Sequence, residues 1–385
     1  MSRAPRIAIL AHSTNPRGGV VHALELGDAL IRLGFEAVVH APDPRGAGFF
    51  RPSLCETVSV PAAPAPADIA AMVRQRAGEY VRHFEVPANR RFDVFHAQDG
   101  ISANGLATLK QRGLIPAFAR TVHHVDAFRD PELTALQRRS ILAADRHFVV
   151  SRLWQGLLRD GFGCEATIVG NGIDIKRFTP VPDGREAALA ARLGLGPGPV
   201  VLSIGGVETR KNSCRILEAF LQLRAMHPRA QLVIAGGASL LDHHDYINEF
   251  NALKAEADLP SEAVRRTGPL PQEDMPALYR LADVLVFASV KEGFGLVALE
   301  AMACGVPTVV SRIAPFTEHI GENETVWCDP LHAGSIADAL MLALQPQTSA
   351  RLAKIGPTAA ARFDWADTAR AHLPTYESLR EPAHA

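Results

Sequence analysis

One stretch limits what this 385-residue chain can fold into: Asp283–Ser311, DVLVFASVKEGFGLVALEAMACGVPTVVS. Asp283 to Ala288 is nearly all apolar, as a strand buried on both faces is. Glu292-Gly-Phe-Gly295 breaks that run. From Leu296 to Cys304 the spacing is helical, with Leu296, Leu299 and Ala303 on one face. Gly305-Val-Pro307 stops the helix, and Thr308 to Val310 starts the next strand. A glycine loop therefore sits at a strand's carboxyl end and opens a helix, where anions bind in α/β domains.

Two glutamates frame the loop. Glu292 precedes the glycines, and Glu300 follows eight residues later, one turn into the helix. Carboxylates accept hydrogen bonds from sugar hydroxyls. The backbone N–H groups of Gly293, Phe294, Gly295 and Leu296 suit phosphate oxygens. Together these are the groups that a nucleotide-sugar requires. Gly293-x-Gly295-x-x-Ala298 also fits a dinucleotide fingerprint, but that reading needs an acid at the end of the following strand. Ser311 stands there. A purely structural tight turn remains the other reading.

The length suits two domains. With 47% hydrophobic and 21% charged residues the chain reads as globular, and a net charge of −1 points to no nucleic-acid partner. Arginines at 74, 76, 82, 90 and 91 read as a solvated helix face, with peripheral attraction to anionic lipid as the minor alternative. Five cysteines lack C-x-x-C spacing, which fits a reducing cytoplasm. The apolar run Ile7–Ala11 is too short for a signal peptide or a membrane span.

Strand and helix alternate along the whole chain, which predicts parallel, doubly wound sheets. Arg6–Leu10 and Glu36–His40 are strands around a helix from Val20 to Leu33, which opens after Gly18-Gly19. Pro61–Pro66 reads as a stiff loop, and Asp68 caps a helix running to about Phe84. Asp93–His96, Phe118–Val122, His147–Val150 and Ile168-Val169 are further strands, with Ser151 as a helix cap. Residues from about Pro180 to Pro199 form the linker candidate. Beyond it, Val200–Ile204, Gln231–Ala235 and Val264–Thr267 are strands before the opening stretch. The expected organisation is an acceptor-side domain 1–178 and a donor domain 179–363, with the last helix, about 364–385, leaving the second domain. The two are expected to face one cleft.

Arg210-Lys211 lies between a strand and a helix, where two cations suit a diphosphate. His123 ends a strand at the first domain's carboxyl edge and is a candidate for contact with the transferred sugar or leaving group; Asp99 is a weaker candidate beside it. His243-His244-Asp245 reads as a solvated loop, since no further ligands have spacing to complete a metal site. The Asp-x-Asp pair that many nucleotide-sugar enzymes use for a divalent cation is absent. No Gly-x-Ser-x-Gly or zinc spacing supports a hydrolase.

At this point the chain resembles the GT-B glycosyltransferases of family 4. Glu292-x7-Glu300, with GFGLVALEAMACGVPTVVS, is similar to that family's donor motif. Gly18-Gly19, Thr121-x-His123, Asn171-Gly172-Ile-Asp174, Lys211 and Gly268-x-Leu270 extend the likeness over nearly the whole chain. The resemblance implies two Rossmann-like domains and a retaining transfer from a nucleoside-diphosphate sugar to a small-molecule, glycan or lipid acceptor, with no cofactor or essential metal. It places Glu300 on the ribose, Glu292 and His123 at the sugar, and Lys211 on the diphosphate. Leu270 falls against the base, and the amides of Phe294 to Leu296 on sugar and phosphate. His124 and Asn171 join Asp99 on the acceptor side, and Gly18 and Gly19 fall to the donor. The family's Gly-Arg pair is Gly205-Gly206 here, so Arg210 is expected to supply the missing cation. The alternatives are a sugar-nucleotide epimerase and a sugar-nucleotide-binding protein without catalysis.

Overall fold

The computed structural model describes residues 4–237 and 244–380. His243, of the expected His-His-Asp loop, lies outside them; His244 and Asp245 begin the helix His244–Glu256. The chain divides into two compact units: residues up to Gly172 with those from Asp364 onward, and Ile173–Phe363.

The first unit holds seven parallel strands: β1 (Arg6–Leu10), β2 (Glu36–Asp43), β3 (Glu56–Pro61), β4 (Val94–Ala97), β5 (Ala119–Val122), β6 (Arg146–Val149) and β7 (Ala166–Ile168). Their order is β3-β2-β1-β4-β5-β6-β7. The second holds six: β8 (Val200–Ile204), β9 (Gln231–Ala235), β10 (Val264–Gly268), β11 (Val284–Phe287), β12 (Thr308–Ser311) and β13 (Val326–Cys328), ordered β10-β9-β8-β11-β12-β13. Each sheet reverses its strand order between its first and fourth strands. Loops at the carboxyl ends of those strands therefore diverge and leave room for a ligand. The central strands are apolar because helices cover both faces. Tyr80, Phe84, Phe95 and Phe118 fill one side of the first sheet, and Leu217, Phe220, Leu232 and Val286 one side of the second.

Several elements depart from the sequence reading. The break falls at Gly172/Ile173 rather than 178/179, because Ile173–Phe178 belongs to the second unit. There the Ile173 N–H donates to Phe363 O, Arg177 Nη2 donates to Gln272 O at 2.5 Å, and Phe178 meets Tyr279 edge-on. Residues 56–61 pair with β2 as strand β3, so only the prolines beyond Pro61 form the stiff loop. The short strand before Gly170 runs from Ala166 to Ile168. Asp68 does cap its helix, Ile69–Glu85, accepting from the Ala71 N–H at 2.6 Å. Ser151 precedes the helix Arg152–Phe162 but makes no side-chain cap bond. Of the expected arginine face, Arg74, Arg82 and Arg91 are exposed, and the other two are held by the fold. Arg76 is buried in an ion pair with Glu79 at 2.7 Å, Arg74 pairs with Glu132, and Arg90 donates to the carbonyls of Phe84 and Glu85. The last helix, Trp365–Arg380, runs through Pro374 and packs in the first unit on Gly18–Arg32. Among the described residues no helix is long and apolar enough to cross a membrane.

Candidate active site

In the second unit the site loops follow β8 and β11, on either side of the strand-order reversal. After β8 the chain turns through Gly205 and Gly206 to a short 3-10 turn, Thr209–Lys211, and then the helix Ser213–Met226. Asn212, at φ +62°, fixes this loop: its Nδ2 donates to Ala288 O at 3.0 Å and Pro330 O at 2.6 Å. The Val290 N–H donates back to Arg210 O at 3.0 Å. Ser311, where a dinucleotide site would carry an acid, is buried and donates to Ser289 O at 2.7 Å. The two loops are thus tied together by hydrogen bonds.

That staple sets Arg210, Lys211 and Glu292 together. Lys211 Nζ donates to Glu292 Oε1 at 2.6 Å, and Arg210 Nη1 reaches the same oxygen at 2.5 Å. Ser289 Oγ lies 3.3 Å from it. Lys211 and Glu292 are both buried, and the ammonium also stands 4.4 Å from the centre of the Phe287 ring. Burial pulls the Lys211 pKa below its usual value, and Glu292 opposes that pull. Glu208 Oε2 lies 3.7 Å from Arg210 Nη2. The four side chains sum to no formal charge. Gly206 explains the missing arginine: its φ is +76°, and a Cβ there would stand 2.9 Å from Gly237 O.

The glycine loop after β11 ends at Gly295, φ +103°, where a Cβ would fall 2.3 Å from the Phe316 ring. The helix Leu296–Ala303 starts there without a side-chain cap. Phe294 stacks on His319 at 4.3 Å between ring centres. Glu300, half-buried, accepts from Tyr279 Oη at 2.5 Å. Burial pushes its pKa up, while Tyr279 and then Arg177 pull it down. Leu270, half-buried, follows β10.

In the first unit His123 follows β5 and lies 3.1 Å, through Nε2, from Gln98 Oε1. Its imidazole is the side chain nearest Gly19, 3.8 Å from where a Cβ would be. His22, at the start of the second turn of the helix Gly18–Arg32, meets His123 edge-on at 4.9 Å. Burial holds His123 well below the ordinary histidine pKa, and it holds His22 at about 4. Asn171 is buried and spends its Oδ1 on His22 Nδ1 at 2.6 Å. Asp99 caps the helix Gly100–Gln111, accepting from the Ser102 N–H at 2.8 Å, and lies 3.7 Å from His12. His124 is exposed and pairs with Asp126 at 3.2 Å. The structure therefore gathers Arg210, Lys211 and Glu292 in one unit, and Gly18, Gly19 and His123 in the other. Asp99 Oδ1 and Asn171 Oδ1 bond within the unit, while Asp99 Oδ2 has no hydrogen-bond partner among the described residues. Gln98 and Tyr279 were missed by the sequence reading; a glutamine at a strand's carboxyl end was the one available signal.

Known proteins are similar to this chain in sequence and in fold. Residues 16–177 match the model of Glycosyltransferase Family 4, and residues 189–360 that of Glycosyl transferases group 1. A D-inositol 3-phosphate glycosyltransferase of Frankia alni is 30% identical over 318 residues, covering 76% of this chain and 75% of its own. This chain belongs to the family 4 glycosyltransferases. The family 4 enzyme fold is the GT-B fold. Sucrose-phosphate synthase from Thermosynechococcus elongatus superposes with a TM-score of 0.81 at 23% identity, over 98% of this chain and 99% of that one. A GDP-mannose-dependent alpha-(1-6)-phosphatidylinositol monomannoside mannosyltransferase of Mycolicibacterium smegmatis is 33% identical over 194 residues, 48% of this glycosyltransferase and 49% of that one.

Proposed function

We propose that this glycosyltransferase moves a sugar, with retention of anomeric configuration, from a nucleoside-diphosphate donor to a small-molecule, glycan or lipid acceptor, without an essential metal. The observation that carries the reading is the Arg210–Glu292–Lys211 cluster, with Glu300 on the helix that follows it and Tyr279, from the helix Met275–Arg280, bonded to that carboxylate. Two cations beside an uncapped helix start suit a diphosphate. A second carboxylate on that helix suits the ribose hydroxyls.

In this reading a diphosphate competes with Glu292 Oε1 for Arg210 and Lys211. Glu292 then turns to the sugar hydroxyls, and Lys211 with the loop amides stabilises the leaving diphosphate as its charge develops. Leu270 lies against the base. On the first unit His123, neutral and oriented by Gln98, contacts the transferred sugar. The absence of Asp-x-Asp supports metal independence. Five free cysteines support a reducing, cytoplasmic setting.

Binding and turnover test this together. Lys211→Ala and Glu300→Ala each weaken nucleoside-diphosphate binding and abolish transfer from UDP- and GDP-hexose donors. Unchanged nucleoside-diphosphate affinity in both variants overturns the reading. The anomeric coupling constant of the NMR product signal reads retention directly, and transfer that persists in excess EDTA reads metal independence. A new sugar isomer formed from the donor alone would favour the epimerase.

A further inference from the structure

Glu300 is assigned above to the ribose hydroxyls, and that role has a requirement of its own. Acceptance from two vicinal hydroxyls is strongest when the side chain is ionised; a protonated carboxyl has spent part of its acceptor capacity and its bonds are not charge-assisted. Yet Glu300 lies in surroundings that raise its pKa by desolvation.

The structure shows what opposes this. Tyr279 Oη donates to Glu300 Oε2 at 2.5 Å. The Tyr279 ring is fully buried on the helix Met275–Arg280, and Phe178 is set edge-on against it at 5.9 Å between ring centres. Phe178 in turn carries the Arg177 guanidinium 4.8 Å from its own ring centre. The phenol therefore has one orientation, and its single proton is committed to Glu300. Among the described residues Oε1 of Glu300 has no hydrogen-bond partner. One carboxylate oxygen is anchored, and the other is available to a ligand. The titratable and charged groups facing Glu300 are Tyr279, Arg177 and, one turn along its own helix, Cys304.

We infer that Tyr279 is a positioning residue for nucleotide recognition: its hydroxyl anchors Glu300 as an ionised acceptor and so sets the preference for a ribose bearing both of its hydroxyls. The inference rests on the ribose role proposed for Glu300. It makes Tyr279 more than a core aromatic, since the ring supplies the packing and the oxygen alone supplies the preference. The sign of the pH effect follows. A hydrogen bond to the charged form lowers a carboxyl pKa, so removing the phenol oxygen raises it. Glu300 then protonates at a higher pH, and ribose recognition fails at a higher pH than in the parent protein.

The test is calorimetric titration of uridine and guanosine diphosphates, each beside its 2′,3′-dideoxy analogue, from pH 8 to pH 5.5. The proteins are the parent, Tyr279→Phe and Glu300→Gln. Phenylalanine keeps the buried ring and removes only the oxygen. The parent is expected to prefer the ribose form by about tenfold or more, the scale of a hydrogen bond to a charged group. Tyr279→Phe loses most of that preference, and loses it increasingly as pH falls. Its kcat/KM falls mainly through KM. A Tyr279→Phe protein with the parent's preference and pH profile overturns the inference while leaving the ribose role of Glu300 intact. A Glu300→Gln protein that keeps the full preference, or a parent protein that binds neither diphosphate, overturns the underlying reading and the inference with it.

Discussion

The two units share a strand order around the point where it reverses, but they put different chemistry at their carboxyl edges. In the second unit the edge is ionic: Arg210 lies within ion-pair distance of Glu208 and Glu292, and Lys211 of Glu292. In the first, the surroundings of His123 are aromatic and held uncharged by burial. His22, His96, His123 and His372 pack ring against ring, with Asn171, Gln98, Thr121 and Tyr376 as hydrogen-bond partners. The same backbone geometry thus carries an ion cluster on one sheet and a histidine cluster on the other. A diphosphate needs the first kind of edge, and hydroxyl-rich sugars are served by the second.

The largest expected effect is on the ionic side. Lys211→Ala takes from buried Glu292 the ammonium 2.6 Å from its Oε1 and from the site a phosphate-binding cation, so kcat/KM falls about a hundredfold or more. Removing one partner of a buried pair also costs about 3–5 kcal/mol of stability. A thermal melt with and without nucleoside diphosphate separates the two losses. On the neutral side, His123→Ala lowers kcat/KM about ten- to a hundredfold while nucleoside-diphosphate affinity stays near the parent value. Equal loss of that affinity in both variants would break the distinction between the edges.

Acid sharpens the comparison. Burial holds His22 at about 4, and His40 and His372 at about 3, against an ordinary value of 6.5. These groups are neutral when folded and protonate when unfolded, so stability is full above pH 6.5 and falls as pH drops toward 4. Each such group steepens the fall by about 1.4 kcal/mol per pH unit within that window. In the second unit His319, at about 4, is the one histidine with a lowered pKa among the described residues. Hydrogen exchange at pH 5 is therefore expected to open the first unit before the second. The smallest effect is expected from Arg210→Ala, since Arg210 is half-exposed: about three- to tenfold in donor affinity, less than Lys211→Ala.

The parts legible in the sequence are those that local pattern dictates. The Asp283–Ser311 run announced its strand, loop and helix because each has its own periodicity, and Asp68 announced its helix. Strand β3 was hidden because its burial alternates poorly and it ends in proline at the sheet edge. Ser151 has the residue type of a cap without the bond, which depends on a rotamer. Tyr279 reads as one more apolar position in MPALYR, and only its distance from Glu300 reveals its oxygen as functional. At Gly206, where the family carries an arginine, a side chain would meet the carbonyl of Gly237, distant in sequence. Non-local contacts decide each of these.

The central claim is that the ionic edge of the second unit receives the donor's nucleotide. Hydrogen–deuterium exchange of the full chain, with and without saturating uridine or guanosine diphosphate, tests it directly. The account predicts slowed exchange at residues 205–213 and 290–301. Protection confined to residues 11–19 and 98–100 would contradict it.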